Sequence, residues 1–173
     1  LYSLQNDQED NFLNLKKKID LKEKFCVFHL DEKIDQLKEA EIRNINSLIQ
    51  RISKKLKIIL TTGIFTFKYT NYFNDKYKNY NYDDLLNNDL NINDKIIIIK
   101  NMPIDLLAYF LNFSEINISF HSGPIVNISA ALDKKIIDIM PKHKFNELGR
   151  WIPIKSNYKR YSSEEINDIF DYL

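Results

Sequence analysis

The sequence predicts an α/β protein built on a doubly wound, mostly parallel sheet, a Rossmann-like three-layer α/β/α arrangement. Three observations carry this expectation. Five short apolar runs (FCVFHL at 25–30, KIIL at 57–60, IIII at 96–99, INISF at 116–120 and IIDIM at 136–140) have the continuous pattern of strands buried on both faces. Between several of them, apolar residues recur every three or four positions, as along one side of a helix. Strand and helix alternate throughout, and short buried strands joined by helices assemble into parallel sheets.

Residues 1–24 are polar and lysine-rich, with Phe12, Leu13, Leu15, Ile19 and Leu21 loosely on one helix face. They read as a leading helix or linker before a domain at 25–173. Between Asp35 and Lys54, the residues Ile42, Ile45, Leu48, Ile49 and Ile52 draw one helical stripe. Residues 68–94 are nearly low-complexity, with half of all tyrosines between Tyr69 and Tyr82, and predict a loop plus a short helix near Asp83–Leu90. Pro103 starts a helix whose body, Ile104 to Phe113, is apolar on most faces and therefore sandwiched. A further helix runs from about Pro124 to Leu132. The last begins at Ser162 or Ser163, with Glu165 placed for a capping box and Ile166, Ile169, Phe170 and Leu173 following.

The chain of 173 residues is long enough for one domain with a real core and too short for a two-domain enzyme. A net charge of +1 gives no basic field for nucleic acid or for an anionic membrane, and 44% apolar residues exclude a disordered tail. With 26 Ile against 2 Val, and 20 Asn, the palette is that of A/T-rich codons, so Ile and Asn carry little information. The three glycines, Gly63, Gly123 and Gly149, carry more, and each is expected where a side chain could not be accommodated. The single cysteine, Cys26, cannot form an intrachain disulfide and reads as a buried structural thiol in a reducing compartment. No apolar stretch reaches the roughly 18 to 20 residues that span a bilayer, and the first residues, LYSLQNDQED, lack the apolar core of a signal peptide, so a cytoplasmic protein is expected. Peripheral contact with a membrane surface stays open. The chain begins with Leu, so residues are expected upstream.

Doubly wound sheets bind ligands beyond the carboxyl ends of their strands. The candidate positions are therefore His29 to Lys33, Thr61 to Gly63, Asn101 and Met102, His121 to Pro124, and Pro141 to Lys144. Densest among them is the segment from Phe120 to Leu132, FHSGPIVNISAAL. Gly123 permits close approach or a positive φ, and Pro124 fits a first helical turn, so a helix N-terminus is exposed there. Its free N–H groups and the positive dipole end suit a phosphate or diphosphate. A plain strand-to-helix turn with a good cap fits the same residues. The histidines His29, His121 and His143 have no metal-ligand spacing, and no metal or cofactor is expected. Lys142-His143-Lys144 could face a phosphate or be a solvated loop.

The stretch IIIIKNMPIDLLAYFLNFSEINISFHSGPIVNISAALDKKIIDIM, Ile96 to Met140, resembles the donor-binding, C-terminal half of the family-nine, heptosyltransferase-like glycosyltransferases of the B-type fold. The resemblance implies that His121, Ser122, Gly123 and Pro124 border the diphosphate of a nucleotide-sugar, with Asn101 and Met102 near the base and Thr62 and Gly63 along the same cleft. It implies metal-independent glycosyl transfer to a glycan or lipopolysaccharide-type acceptor. Two positions depart from the pattern: Asn127 stands where a histidine is usual, and Lys33 is a substitute for the basic residue after the first strand. Lys142 offers further cationic support. The family's N-terminal acceptor domain, which usually holds the catalytic base, has no room in this chain, and no catalytic residue is assigned. The chain thus reads as a fragment, half of a split enzyme, or a relic that only binds. The alternative is a non-catalytic Rossmann-like interaction or nucleotide-binding module with a decayed cleft.

Overall fold

Isoleucine branches at Cβ and packs well on a pleated surface, so the Ile-rich runs form the interior of a single sheet. The computed structural model describes residues 6–21, 24–30, 32–62, 68–120, 122–145, 153 and 157–171. Its strands are β1 (Phe25–Leu30), β2 (Lys57–Thr62), β3 (Lys78–Asn81), β4 (Ile96–Lys100), β5 (Ile116–Ser119), β6 (Ile136–Met140) and β7 (Tyr158–Ser162). They lie in the order β3-β4-β2-β1-β5-β6-β7, and each of these pairings is parallel. The helices are α1 (Asn6–Lys18), α2 (Glu39–Ile52), α3 (Lys68–Asn74), α4 (Tyr82–Asn87), α5 (Ile104–Phe113) and α6 (Gly123–Ala131). Short 3-10 turns occupy Glu32–Gln36, Lys142–Lys144 and Ile166–Asp171. No described helix is long and apolar enough to cross a membrane.

Strand alternation sorts the core into two halves. Cys26, Phe28, Leu30, Ile58, Leu60, Ile98, Ile118 and Ile137 point to one face, where the predicted stripe of α2 covers them with Phe73 of α3 and with Ile166 and Ile169. Phe25, Val27, Ile59, Ile97 and Ile99 point to the other, beneath α1, α4, α5 and the start of α6. The second half is aromatic at its centre. Phe12 stacks on Phe113 at 4.9 Å and meets Phe110 edge-on at 5.1 Å, which fastens α1 to α5. Lys57, also buried on this face, donates from Nζ to the carbonyls of Ile19 and Ile92, tying the end of α1 to the amino edge of the sheet.

The structure departs from the sequence expectation at two edges. Within the tract expected to be a loop, α3 and the edge strand β3 form, because Phe73 is fully buried and Tyr69, Tyr72 and Tyr77 pack against the core beside it. Tyr77 Oη also donates to Asn46 Oδ1 at 2.7 Å and accepts from Gln50 Nε2 at 2.9 Å, anchoring the segment to α2. At the other edge, β7 is a strand that the search for apolar runs missed, since its residues YKRYS are mostly polar. The expected helix from Ser162 or Ser163 is a 3-10 helix that starts only at Ile166. Glu165 still accepts the Ser162 N–H at 3.1 Å, so the capping chemistry sits where the sequence placed it and the helix begins later.

Cys26 is fully buried, and burial pushes its thiol pKa far up, because no charged partner offsets the loss of water around a thiolate. A disulfide reagent such as Ellman's is therefore expected to leave the native protein unlabelled and to titrate one thiol after unfolding in guanidinium. Rapid labelling of the folded protein would contradict this packing.

Candidate functional site

The strand order decides where a ligand can reach the sheet. From β1 at the centre the chain builds outward through β2 to β3 and β4, then α5 carries it across to β5 on the opposite side of β1. Connections on the two sides of the β1–β5 pair therefore leave in opposite directions, which makes their carboxyl ends the position where sheets of this kind hold a ligand crevice. The segment that follows β5 is the one singled out above.

This segment is held from below by a buried polar clamp. Asn117 of β5 donates from Nδ2 to Ser129 Oγ of α6 and to the Leu111 carbonyl, both at 3.1 Å, and its Oδ1 accepts from Ser114 Oγ at 2.6 Å. A small serine at this contact lets α6 approach β5 closely. Its N-terminus is thereby fixed at the crevice. The first intrahelical bond there runs from Val126 N–H to the Ser122 carbonyl at 2.9 Å, while the Ser122 side chain makes no cap bond. Pro124 lacks an N–H, so the amides of Gly123 and Ile125 are the donors the first turn offers.

Gly123 itself was expected to mark a steric limit or a positive φ. Among the described glycines none has a positive φ, and a Cβ added at Gly123 meets nothing within 4 Å. Among the described residues, neither backbone conformation nor packing requires glycine here. Gly63, Gly149 and His121 lie outside the described residues, as does the side chain of Lys33.

The remaining candidates distribute along the carboxyl edge. Thr62 ends β2, buried and in register with Leu30 and Lys100. Asn101, just past β4, adopts φ 59° and donates from Nδ2 to Asn81 Oδ1 at 3.2 Å, so its side chain is directed to β3. Met102 next to it is half-buried against the α5 side of the core. Asn127 is exposed one turn after Gly123, on the same side of α6. Lys142 pairs with Glu164 at 2.5 Å, and the hydrogen bond and charge of that carboxylate raise its pKa. These two line a cavity of about 250 Å³ with Gln36, Lys38, Glu41 and His143, by the start of α2. Among the described residues no group of three or more His, Cys, Asp or Glu side chains could hold a metal ion.

Sequence reasoning missed a feature that only strand register reveals. Thr61, His29, Ser119, Asp138 and Arg160 are cross-strand neighbours in a line over β2, β1, β5, β6 and β7. His29 Nδ1 lies 2.8 Å from Thr61 Oγ1. Asp138, wholly buried, accepts from Tyr158 Oη at 2.5 Å and pairs with Arg160 Nε at 3.4 Å. Burial and the Asp138 charge together push the Tyr158 phenol well above its ordinary pKa. The row crosses the β1–β5 switch point. Aligning the predicted strands 25–30 and 116–120 by their carboxyl ends would have matched His29 with Ser119, whereas Thr61 lies past the predicted end of its strand at Leu60.

No family model and no curated protein matches the sequence. Solved structures do match. The E. coli heptosyltransferase WaaC with ADP-2-deoxy-2-fluoro heptose superposes with a TM-score of 0.55 at 13% identity, over 96% of this chain and 48% of that one. S. aureus MnaA in complex with UDP gives 0.55 at 12% identity, over 100% of this chain and 40% of that one. A Listeria monocytogenes protein described as a UDP-N-acetylglucosamine 2-epimerase gives 0.51 at 12%, over 93% and 38%. The chain therefore has the Rossmann-like fold found in these proteins, and it spans less than half the length of each.

Proposed function

We propose that this chain is the donor-binding domain of a B-type glycosyltransferase and binds a nucleoside-diphosphate sugar at the first turn of α6. The observation that carries the reading is Gly123: it stands exposed at a helix N-terminus on the topological switch point, and nothing among the described residues explains the absence of a side chain. A ligand backed against the helix end would explain it. The amides of Gly123 and Ile125 and the positive end of α6 suit the diphosphate. Met102 and Thr62, at the exits of β4 and β2, supply the rest of the edge for the nucleoside. The ligands in the WaaC and MnaA structures, an ADP-sugar analogue and UDP, belong to the same chemical class.

In transfer, charge builds on the departing nucleoside diphosphate, and helix-end donors preset toward it stabilise that charge without a metal. The acceptor and the catalytic base would come from a second domain, as the heptosyltransferase resemblance implies. Calorimetric titration with ADP-, UDP- and GDP-sugars tests the reading. Micromolar binding of one of the three is the expected result, and no heat with any of them overturns it.

A further inference from the structure

The α6 site, which rests on the phosphate reading just given, contains one more group. Ser119 is 1% exposed, and its Oγ has no hydrogen-bond partner among the described residues. Leaving a buried hydroxyl unsatisfied costs free energy, so such groups are rare unless something else uses them. Its position follows from the clamp below it. Asn117 meets Ser129 of α6, and Ser119 lies two residues further along β5, about 6.6 Å nearer the carboxyl edge. α6 runs back along the strand, and 6.6 Å is about four residues of helix, so Ser119 is level with Ile125 in the first turn. Strand alternation points it to the same face as Asn117, toward α6.

The electrostatics favour an anion's oxygen as partner. Asp138, the neighbour of Ser119 on β6, is paired through Oδ2 with Arg160 and Tyr158, so its charge is balanced on the β7 side, while its buried Oδ1 makes no hydrogen bond among the described residues. On the other side is His29, 8% exposed at the crevice. We propose that the Ser119 hydroxyl contacts the phosphate, donating a hydrogen bond to one of its oxygens from beneath the first turn of α6. The unmade hydrogen bond in the fold is thus reserved for the ligand.

Inorganic pyrophosphate and UDP, titrated into wild type and Ser119→Ala, test this, together with thermal unfolding of both proteins without ligand. The substitution is expected to weaken both ligands roughly ten-fold or more, the effect of losing a hydrogen bond to a charged group. Without ligand it melts at the same temperature or higher, since it removes an unsatisfied group. Unchanged affinity in Ser119→Ala, with wild type binding both probes, overturns the role of Ser119 and leaves the phosphate site standing. A melting temperature several degrees lower without ligand also overturns it, by showing that the hydroxyl is bonded within the fold. Wild type that binds neither probe overturns the site and Ser119 together.

Discussion

Gly123→Val is expected to fold as wild type does and to lose nucleoside-diphosphate binding by roughly 100-fold or more. The folding half rests on geometry. A Cβ at position 123 enters open space, the backbone φ there is not positive, and the residue is exposed. Replacing glycine at such a position also narrows the unfolded ensemble, which offsets the modest helix cost of a β-branched residue. The binding half rests on the donors. A valine side chain at the mouth of the first turn stands between the ligand and the amides of Gly123 and Ile125, and hydrogen bonds to a charged group contribute about 1.5–3 kcal/mol each. Losing two of them corresponds to the stated factor. Calorimetry and a melting curve on the same sample separate the halves, and Gly123→Ala should fall between valine and wild type. Equal binding by the valine variant would remove the reason for assigning the site to α6.

The largest effect on stability is expected from Asp138→Ala. Asp138 is wholly buried, its partner Arg160 has a side chain 7% exposed, and Tyr158 Oη donates to the same carboxylate oxygen. The substitution removes the carboxylate that Arg160 Nε and Tyr158 Oη share, and breaking a buried pair costs about 3–5 kcal/mol. For a chain of this length that is a fall of roughly 6–20 °C in melting temperature. The double variant Asp138→Leu with Arg160→Met should recover much of it, because a buried ion pair exchanged for apolar residues of similar size is close to neutral. A single variant that melts within 2 °C of wild type would show that β7 is not held through this pair.

The five central strands and the helices α2, α5 and α6 were legible because burial on both faces writes long apolar runs and helical stripes into the sequence. The edge strands were not. β3 (KNYN) and β7 (YKRYS) are half exposed, so their composition resembles loop, and they are recruited by tertiary contacts: Phe73 and Tyr77 in one case, Tyr158 and Arg160 with Asp138 in the other. The turn Ser122-Gly123-Pro124 was legible from local chemistry alone, since a strand exit followed by glycine and proline marks a helix start wherever it occurs. The polar row was not. His29, Thr61, Ser119 and Asp138 are scattered polar residues in or beside apolar runs, and their meaning depends on register with strands far away in sequence. Lys142 shows the same limit, because its pairing with Glu164 could not be read from the loop that carries it.

The placement of β3 bears on how the protein stays dispersed. β4 reads IIII over Ile96–Ile99, four consecutive β-branched apolar residues with no proline or charge, which is the composition that seeds cross-β stacking when its backbone is unpaired. β3 covers that edge in parallel register from Lys78 to Asn81, and then offers the solvent only four residues, Lys78 and Asn79 exposed and Tyr80 and Asn81 half-buried, with Lys78 held toward Asp94 at 3.2 Å. A short, charged outer strand is a poor template for another chain. The asparagine- and tyrosine-rich tract thus supplies the guard strand of this isoleucine run.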